Sequence, residues 1–113
     1  MSRLTTHVLD TSVGRPAAAV SVLLEKHTAG GWRKVGNGAT DIDGRCFSLL
    51  GEGAALEKGV YRLTFGSGTY FAARGVDAFY PQINVVFEVR HPEEHHHVPL
   101  LLSPFGYSTY RGS

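Results

Sequence analysis

The chain has 113 residues, a formal net charge of +1 and a single cysteine, Cys46. This length predicts one domain, residues 1–113, that buries about two thirds of its unfolded surface. The Lys and Arg residues are scattered, which argues against a nucleic-acid partner, and no apolar stretch reaches the roughly 18 residues of a membrane span. One cysteine forms no internal disulfide, and no apolar signal region opens the chain. We therefore expect a cytoplasmic protein, or a peroxisomal one if the source is eukaryotic.

Short β-type segments separated by glycine and proline follow one another along the chain. The segments predicted as strands are residues 20–24, 32–40, 60–65, 82–89, 98–102 and 107–111. The alternation is clearest in 82–89, where apolar residues occupy the odd positions. A short helix is predicted at residues 70–74, and one further helical turn is predicted at residues 54–58. Short strands at regular spacing predict an antiparallel β-sandwich.

Three consecutive histidines precede the strand predicted at 98–102. Because side chains alternate along a strand, His95 and His97 share one face and His96 points to the other. The aliphatic residues that should face the core are Val98, Leu100 and Leu102. His97 is then expected on the opposite face. Three interpretations remain open: a solvated histidine cluster, which the triplet alone favours, a zinc site of His95, His97 and His7, or a catalytic group.

Further polar groups stand after a turn and at the end of the chain. An Asp-Gly turn signal directly precedes Arg45. Its guanidinium is either a solvated charge or a group aimed at a substrate carbonyl, where its planar fork forms paired hydrogen bonds. Tyr110, Arg111 and the terminal Ser113 bring a phenol, a cation and an anion into the last four positions. Such a group suits a planar polar ligand better than a packed core.

Separated motifs along the chain resemble the 5-hydroxyisourate hydrolase family, the transthyretin-related enzymes of urate breakdown. These motifs lie at residues 6–11, 14–17, 40–46, 79–81, 97–104 and 110–113. The last of them, Tyr-Arg-Gly-Ser, is the family's signature and is absent from the hormone carrier transthyretin. Two positions depart from the family pattern: Asp41 stands where Asn is usual, and His96 where Tyr is often found. We expect Asp41 to alter how the turn before Arg45 is held, and His96 to matter little.

The resemblance implies a transthyretin-like β-sandwich of two antiparallel four-stranded sheets with one short helix. It also implies a homotetramer, built as a dimer of dimers, with two channels between the dimers. The strands that carry His97 and Tyr110 would line these channels. No cofactor, metal, nucleic acid or membrane is implied.

The implied activity is hydrolysis of 5-hydroxyisourate to 2-oxo-4-hydroxy-4-carboxy-5-ureidoimidazoline, the opening of a cyclic amide in purine degradation. His7 and His97 would activate water together, one as base and the other as orienter or proton donor. Arg45 and the Tyr110 hydroxyl would hold substrate oxygens and developing negative charge. The other residues implied at the site are Ser108, Arg111 and Ser113. Ser108 would contact the substrate. Arg111 and the Ser113 carboxylate would order the end of the channel or orient a histidine.

Two other functions fit a β-sandwich. A non-enzymatic small-molecule carrier on the same fold is the main alternative, but a carrier for apolar ligands would lack the polar groups His7, Arg45 and His97. A structural adhesion module would be secreted, and no secretory signal is visible. The polar groups therefore favour the enzyme.

Overall fold

The computed structural model describes residues 3–51 and 54–113, which form two packed β-sheets and a helix. The strands of the first sheet are β1 (Leu4–Asp10), β2 (Arg15–Pro16), β5 (Arg45–Cys46), β8 (His96–Ser103) and β9 (Gly106–Thr109). Those of the second sheet are β3 (Ser21–Thr28), β4 (Gly31–Ala39), β6 (Gly59–Phe65) and β7 (Ile83–Val89). The helix α1 (Ser67–Ala73) follows β6. In residues 3–51 and 54–113, no helix combines the length and apolar character needed to cross a bilayer.

The two sheets differ in strand direction. The second sheet has the order β4-β3-β6-β7 and is antiparallel throughout. The first has the order β2-β1-β8-β9, with β5 also paired to β1. Here β1 and β8 run parallel, whereas the other strand pairs are antiparallel. The expected sandwich is thus confirmed, with one parallel pair. It arises because β1 and β8 come from distant parts of the chain and need no hairpin between them.

Hydrophobic alternation located most of the strands. The segment 82–89 corresponds to β7, in which Ile83, Val85 and Val89 are buried. Alternation did not predict β1, β2 or β5. In β1 the buried side chains include threonines and an aspartate as well as aliphatic residues. Apolar and polar residues therefore do not alternate along β1 in the way that marks a half-buried strand. β2 and β5 have two residues each, too few for any period to show.

The helix prediction was correct at one place and wrong at the other. α1 spans Ser67–Ala73, overlaps the predicted 70–74 and packs Tyr70 and Phe71 into the core. Its Tyr70 hydroxyl donates a 2.8 Å hydrogen bond to the buried carboxylate of Asp10 in β1. Residues 54–58 are not helical. The backbone N–H and C=O of Glu57 both bond the Tyr61 hydroxyl at 3.0 Å, so neither is free for a helical turn.

The hydrophobic core lies between the two sheets. Its largest fully buried side chains include Tyr61, Phe65 and Phe71. The strand β8 contributes Val98, Leu100 and Leu102, as alternation predicted. One face of the first sheet is therefore committed to the core. The other face is left free to carry polar side chains.

Candidate active site

Three predicted site residues lie on neighbouring strands at the outer face of the first sheet. In β1, His7 stands opposite Arg45 of β5 on one side and opposite Pro99 of β8 on the other. Two residues earlier on β1, Thr5 stands opposite His97. Strand pairing thus brings together His7, Arg45 and His97, which are far apart in sequence.

A shallow depression of about 250 Å³ marks this face. Its lining residues are Thr5, Arg45, Phe47, His95, His97 and Ser113. Arg45 is exposed, and His97 is half-buried. Because the depression holds a cation and two imidazoles, it suits a polar ligand rather than an apolar one.

The His97 ring is held on two sides. Its Nδ1 lies 2.8 Å from the hydroxyl of Thr5. The backbone of Gly112 pairs with His97 and donates a 2.8 Å hydrogen bond to its carbonyl. A Cβ atom at Gly112 would lie only 2.6 Å from Cδ2 of His97, so this close approach requires glycine. Within the described residues Nε2 of His97 has no hydrogen-bond partner, which leaves it free to take a proton.

The surroundings of His97 keep its imidazole neutral. Burial lowers the pKa of His97 below its usual 6.5, and the positive charges of His95, Arg45 and His7 lower it further. A hydrogen bond with the backbone of Thr5 raises the pKa of His97 and so acts in the opposite direction. A neutral imidazole at neutral pH can act as a general base.

His7 is oriented by the turn that precedes Arg45. Its Nε2 lies 2.9 Å from the backbone oxygen of Asp43. Since a carbonyl oxygen only accepts hydrogen bonds, Nε2 carries the proton, and the lone pair of neutral His7 is on Nδ1. The tautomer of His7 is therefore set by this turn.

The turn itself is held by Asp41. One carboxylate oxygen of Asp41 accepts hydrogen bonds from the backbone N–H groups of Asp43 and Arg45, at 2.9 and 3.0 Å. Gly44 has φ +77°, and a Cβ there would lie 2.3 Å from the carbonyl oxygen of Val8. The amide oxygen of the usual Asn could accept the same two bonds, so Asp41 preserves this function and adds a negative charge.

The C-terminal residues are divided between two places. Ser113 lines the depression, whereas Tyr110 and Arg111 border a second cavity of about 260 Å³ between the sheet edges. The Arg111 guanidinium donates to the Glu94 carboxylate at 3.1 Å and to the backbone oxygen of His95 at 3.3 Å. Arg111 therefore anchors the segment just before β8, and its contact with substrate stays a prediction.

The strand register relates Ser108 and Tyr110 to the outer face. Ser108 pairs with Leu101, and Gly112 pairs with His97. The same register sets Tyr110, which is 57% exposed, across from Pro99 on the row of His97. The substrate contacts of Ser108 and Tyr110 stay predictions.

The histidine triplet is divided between the two faces as predicted. The rings of His95 and His97 are stacked, with centroids 6.3 Å apart. His96 is buried on the other face, and its Nδ1 donates to the backbone oxygen of Glu94. Over residues 3–51 and 54–113, no group of three His, Cys, Asp or Glu side chains converges as a metal site would require.

Sequence reasoning missed two residues of the site, of which Thr5 has the closer contacts with the histidines. It is buried, and its hydroxyl contacts His97 as well as Nε2 of His95, at 3.1 Å. Its contact with the histidines depends on the parallel pairing of β1 with β8, which no local pattern reveals. Phe47, which lines the depression, was missed although its position two residues after Arg45 could have indicated that both side chains share one face.

The chain is similar to known proteins along nearly its whole length. A family model described as the HIUase/Transthyretin family matches residues 4–112. The chain belongs to this family. A curated relative named 5-hydroxyisourate hydrolase, from Salmonella typhimurium, is 48% identical over 97% of this chain and 80% of its own length.

Members of the HIUase/Transthyretin family with solved structures share the fold. The Klebsiella pneumoniae 5-hydroxyisourate hydrolase superposes with a TM-score of 0.86 and 36% identity, covering all of this chain and 94% of that one. Sea bream transthyretin in complex with thyroxine superposes with a TM-score of 0.87 and 34% identity, covering 97% of this chain and 94% of that one. Since both a 5-hydroxyisourate hydrolase and a thyroxine-bound transthyretin match the fold, the choice of function depends on the site.

Proposed function

We propose that this protein is a 5-hydroxyisourate hydrolase, which opens a cyclic amide of its substrate to give 2-oxo-4-hydroxy-4-carboxy-5-ureidoimidazoline. The observation that carries the proposal is that strand pairing brings His7 beside Arg45 on the same face as His97, while Arg45 and His97 line one polar depression. The curated hydrolase relatives, 44–48% identical over most of the chain, support the same activity. A cytoplasmic location is part of the proposal, and the single cysteine supports it.

His97 is the proposed base. A water molecule gives a proton to Nε2 of His97, and its oxygen attacks the substrate carbonyl carbon. The lowered pKa of His97 keeps the acceptor nitrogen unprotonated at neutral pH. A positioned histidine base accelerates such a step by about 10²–10⁴-fold.

Arg45 and His7 complete the proposed reaction. The Arg45 guanidinium faces the carbonyl oxygen as it becomes negative, a contribution of roughly 3 kcal/mol for one well-placed donor. The ring C–N bond then breaks, and its nitrogen needs a proton. Protonated His7 supplies this proton from Nδ1, because Nε2–H remains on the Asp43 carbonyl. The cycle closes when solvent moves the proton from His97 back to His7.

A homotetramer is the proposed assembly. In one protomer Arg45 and Ser113 are exposed, so water reaches the depression freely. Covering the site with a second copy would exclude bulk water and strengthen each electrostatic contact. The exposed Ser108 and Tyr110 would then face the channel between the copies, and Tyr110 would supply a hydroxyl to the substrate.

The test is to add the protein to freshly generated 5-hydroxyisourate and to follow the ultraviolet decay of the substrate. We expect decay well above the rate in buffer, with and without a strong chelator, because protein groups perform each step. Specific activity should fall on dilution as light scattering reports dissociation. A decay no faster than in buffer would reject the enzyme. Full activity of a monomer would reject the shared channel.

A small-molecule carrier is the second candidate, because the thyroxine-bound sea bream transthyretin has the same fold. A carrier predicts stoichiometric binding of thyroxine and no turnover of 5-hydroxyisourate. The imidazoles and guanidinium around the depression favour the enzyme over this alternative. Calorimetric titration with thyroxine, run beside the decay assay, separates the two.

A further inference from the structure

The Thr5 hydroxyl lies between two histidine rings. Its oxygen is 2.8 Å from Nδ1 of His97 and 3.1 Å from Nε2 of His95. Thr5 is 3% exposed, and its position is set by the parallel pairing of β1 with β8. The hydroxyl therefore joins the two stacked rings, of which His97 is half-buried and His95 is exposed.

A hydroxyl has one proton, so it can donate to only one of the two rings and must accept from the other. Two directions are possible. If Thr5 donated to Nδ1 of His97, neutral His97 would hold its proton on Nε2 and could not act as a base there. If Nδ1 of His97 donates to Thr5, the lone pair is on Nε2, and Thr5 donates to Nε2 of His95.

We propose that Thr5 and His95 form a proton relay behind His97: they fix His97 as the Nδ1–H tautomer and carry its excess proton to solvent. The inference rests on the proposed hydrolase activity, in which His97 is the base. Thr5 and His95 are positioning residues in this relay, because they act through His97.

The relay conserves protons at each step. Nε2 of His97 takes a proton from water, Nδ1 passes one to the Thr5 oxygen, and Thr5 passes its own to Nε2 of His95. His97 ends neutral with its proton on Nε2, and His95 ends as the imidazolium. His95 then releases its Nδ1 proton to solvent and is neutral. In the reverse shift solvent returns a proton to Nδ1 of His95, Nε2 of His95 passes one to Thr5, and Thr5 passes one to Nδ1 of His97. Nε2 of His97 gives up its proton to solvent in the same shift, which restores the starting tautomer.

The charges around the site give this transfer a direction. His7 from β1 and Arg45 from β5 face His97, and both disfavour a positive charge on its half-buried ring. His95 is exposed, so solvent stabilises the same charge there. The ion pair of Glu94 with Arg111 holds the backbone beside His95 in place.

Two variants of Thr5 test the relay. Thr5→Val removes the hydroxyl at nearly constant volume, and Thr5→Ser keeps it. We expect Thr5→Val to lower kcat by about 10- to 100-fold with little change in KM, as for loss of a hydrogen bond to a charged group. Thr5→Ser should restore most of kcat. Unchanged kcat in Thr5→Val would overturn the proposal.

His95→Gln separates the relay from a merely structural role. The Gln amide oxygen can accept from Thr5, but it cannot carry a proton onward. We expect a loss of kcat similar to that of Thr5→Val, and a double variant no worse than either single variant. The acid limb of the pH profile should move up in His95→Gln, since the charge of His95 lowers the pKa of His97. Losses that multiply in the double variant would contradict a shared relay.

A readout without substrate distinguishes failure of the relay from failure of the proposed function. Long-range proton–nitrogen NMR reports which ring nitrogen of each histidine is protonated. Above the pH at which both rings become neutral, we expect Nδ1–H on His97 and on His95, and loss of the His97 preference in Thr5→Val. Nε2–H on His97 in the parent protein would overturn the relay. An inactive parent with the expected tautomers would reject the hydrolase alone.

Discussion

The two faces of β8 (His96–Ser103) perform different tasks although their residues alternate along one strand. On the inner face, Leu100 and Leu102 are fully buried between the sheets. On the outer face, His97 borders a polar depression beside Thr5 and Arg45. A shift of one residue would exchange these two environments.

The difference between the two faces of β8 shows which surface of a small sandwich can hold a functional site. The inner face must supply apolar area, because burial of that area is the main source of stability. The outer face does not contribute to this core, so it can hold imidazoles and a guanidinium. We therefore expect substitutions on the two faces to affect different measurements.

The largest expected effect is that of His97→Gln on catalysis. Loss of the base should lower kcat by about 10²–10⁴-fold and leave the unfolding temperature nearly unchanged. The matched control is His96→Gln, one residue away on the inner face, whose kcat should stay close to that of the parent. The ultraviolet decay assay measures both. A His97→Gln enzyme with near-parent kcat would assign the base to His7.

A stability effect of the opposite kind is expected for Leu100→Ala. Removing a fully buried leucine side chain should cost about 2–5 kcal/mol in the free energy of unfolding. The folded fraction should keep its kcat, because the side chain faces away from the site. Leu101→Ala on the outer face, where the side chain is half-buried, should cost less. Urea unfolding of the two variants tests this, and equal costs would contradict the division between the faces.

The smallest expected effect is a displaced pH dependence. The pKa of His97 is lowered, so the acid limb of kcat/KM should lie below pH 6.5, the ordinary value for histidine. Arg45→Gln removes one of the charges that lower it, and the limb should move up even as the rate falls. An acid limb that stays in place in Arg45→Gln would show that Arg45 does not act on His97.

The same shift predicts how stability varies with pH. The unfolded chain binds a proton at His97 more readily than the folded protein does. This contribution to stability is therefore complete above about pH 6.5 and is lost as the pH falls towards the lower folded-state pKa. Thermal unfolding of the parent and of His97→Gln over this range reveals the difference.

The pattern of apolar and polar residues predicted the sandwich and the inner and outer rows of β8. Alternation along a strand is a local property, so it assigned Leu100 and His97 to opposite faces before any partner strand was known. Motif resemblance also selected His7, Arg45 and His97 as the site residues. The turn at 54–58 was predicted wrongly as helical, because the Tyr61 hydroxyl that bonds Glu57 belongs to another element.

The groups that surround those residues are set by long-range contacts in the fold. The parallel pairing of β1 with β8 places Thr5 against His95 and His97, and the turn held by Asp41 sets the tautomer of His7. Arg111, a residue of the terminal motif, bonds Glu94 and the backbone of His95. These contacts join residues that are distant in sequence, and a pattern of local period carries no information about them. The chemistry of the site depends on those contacts, because hydrogen bonds and neighbouring charges set the protonation of each histidine.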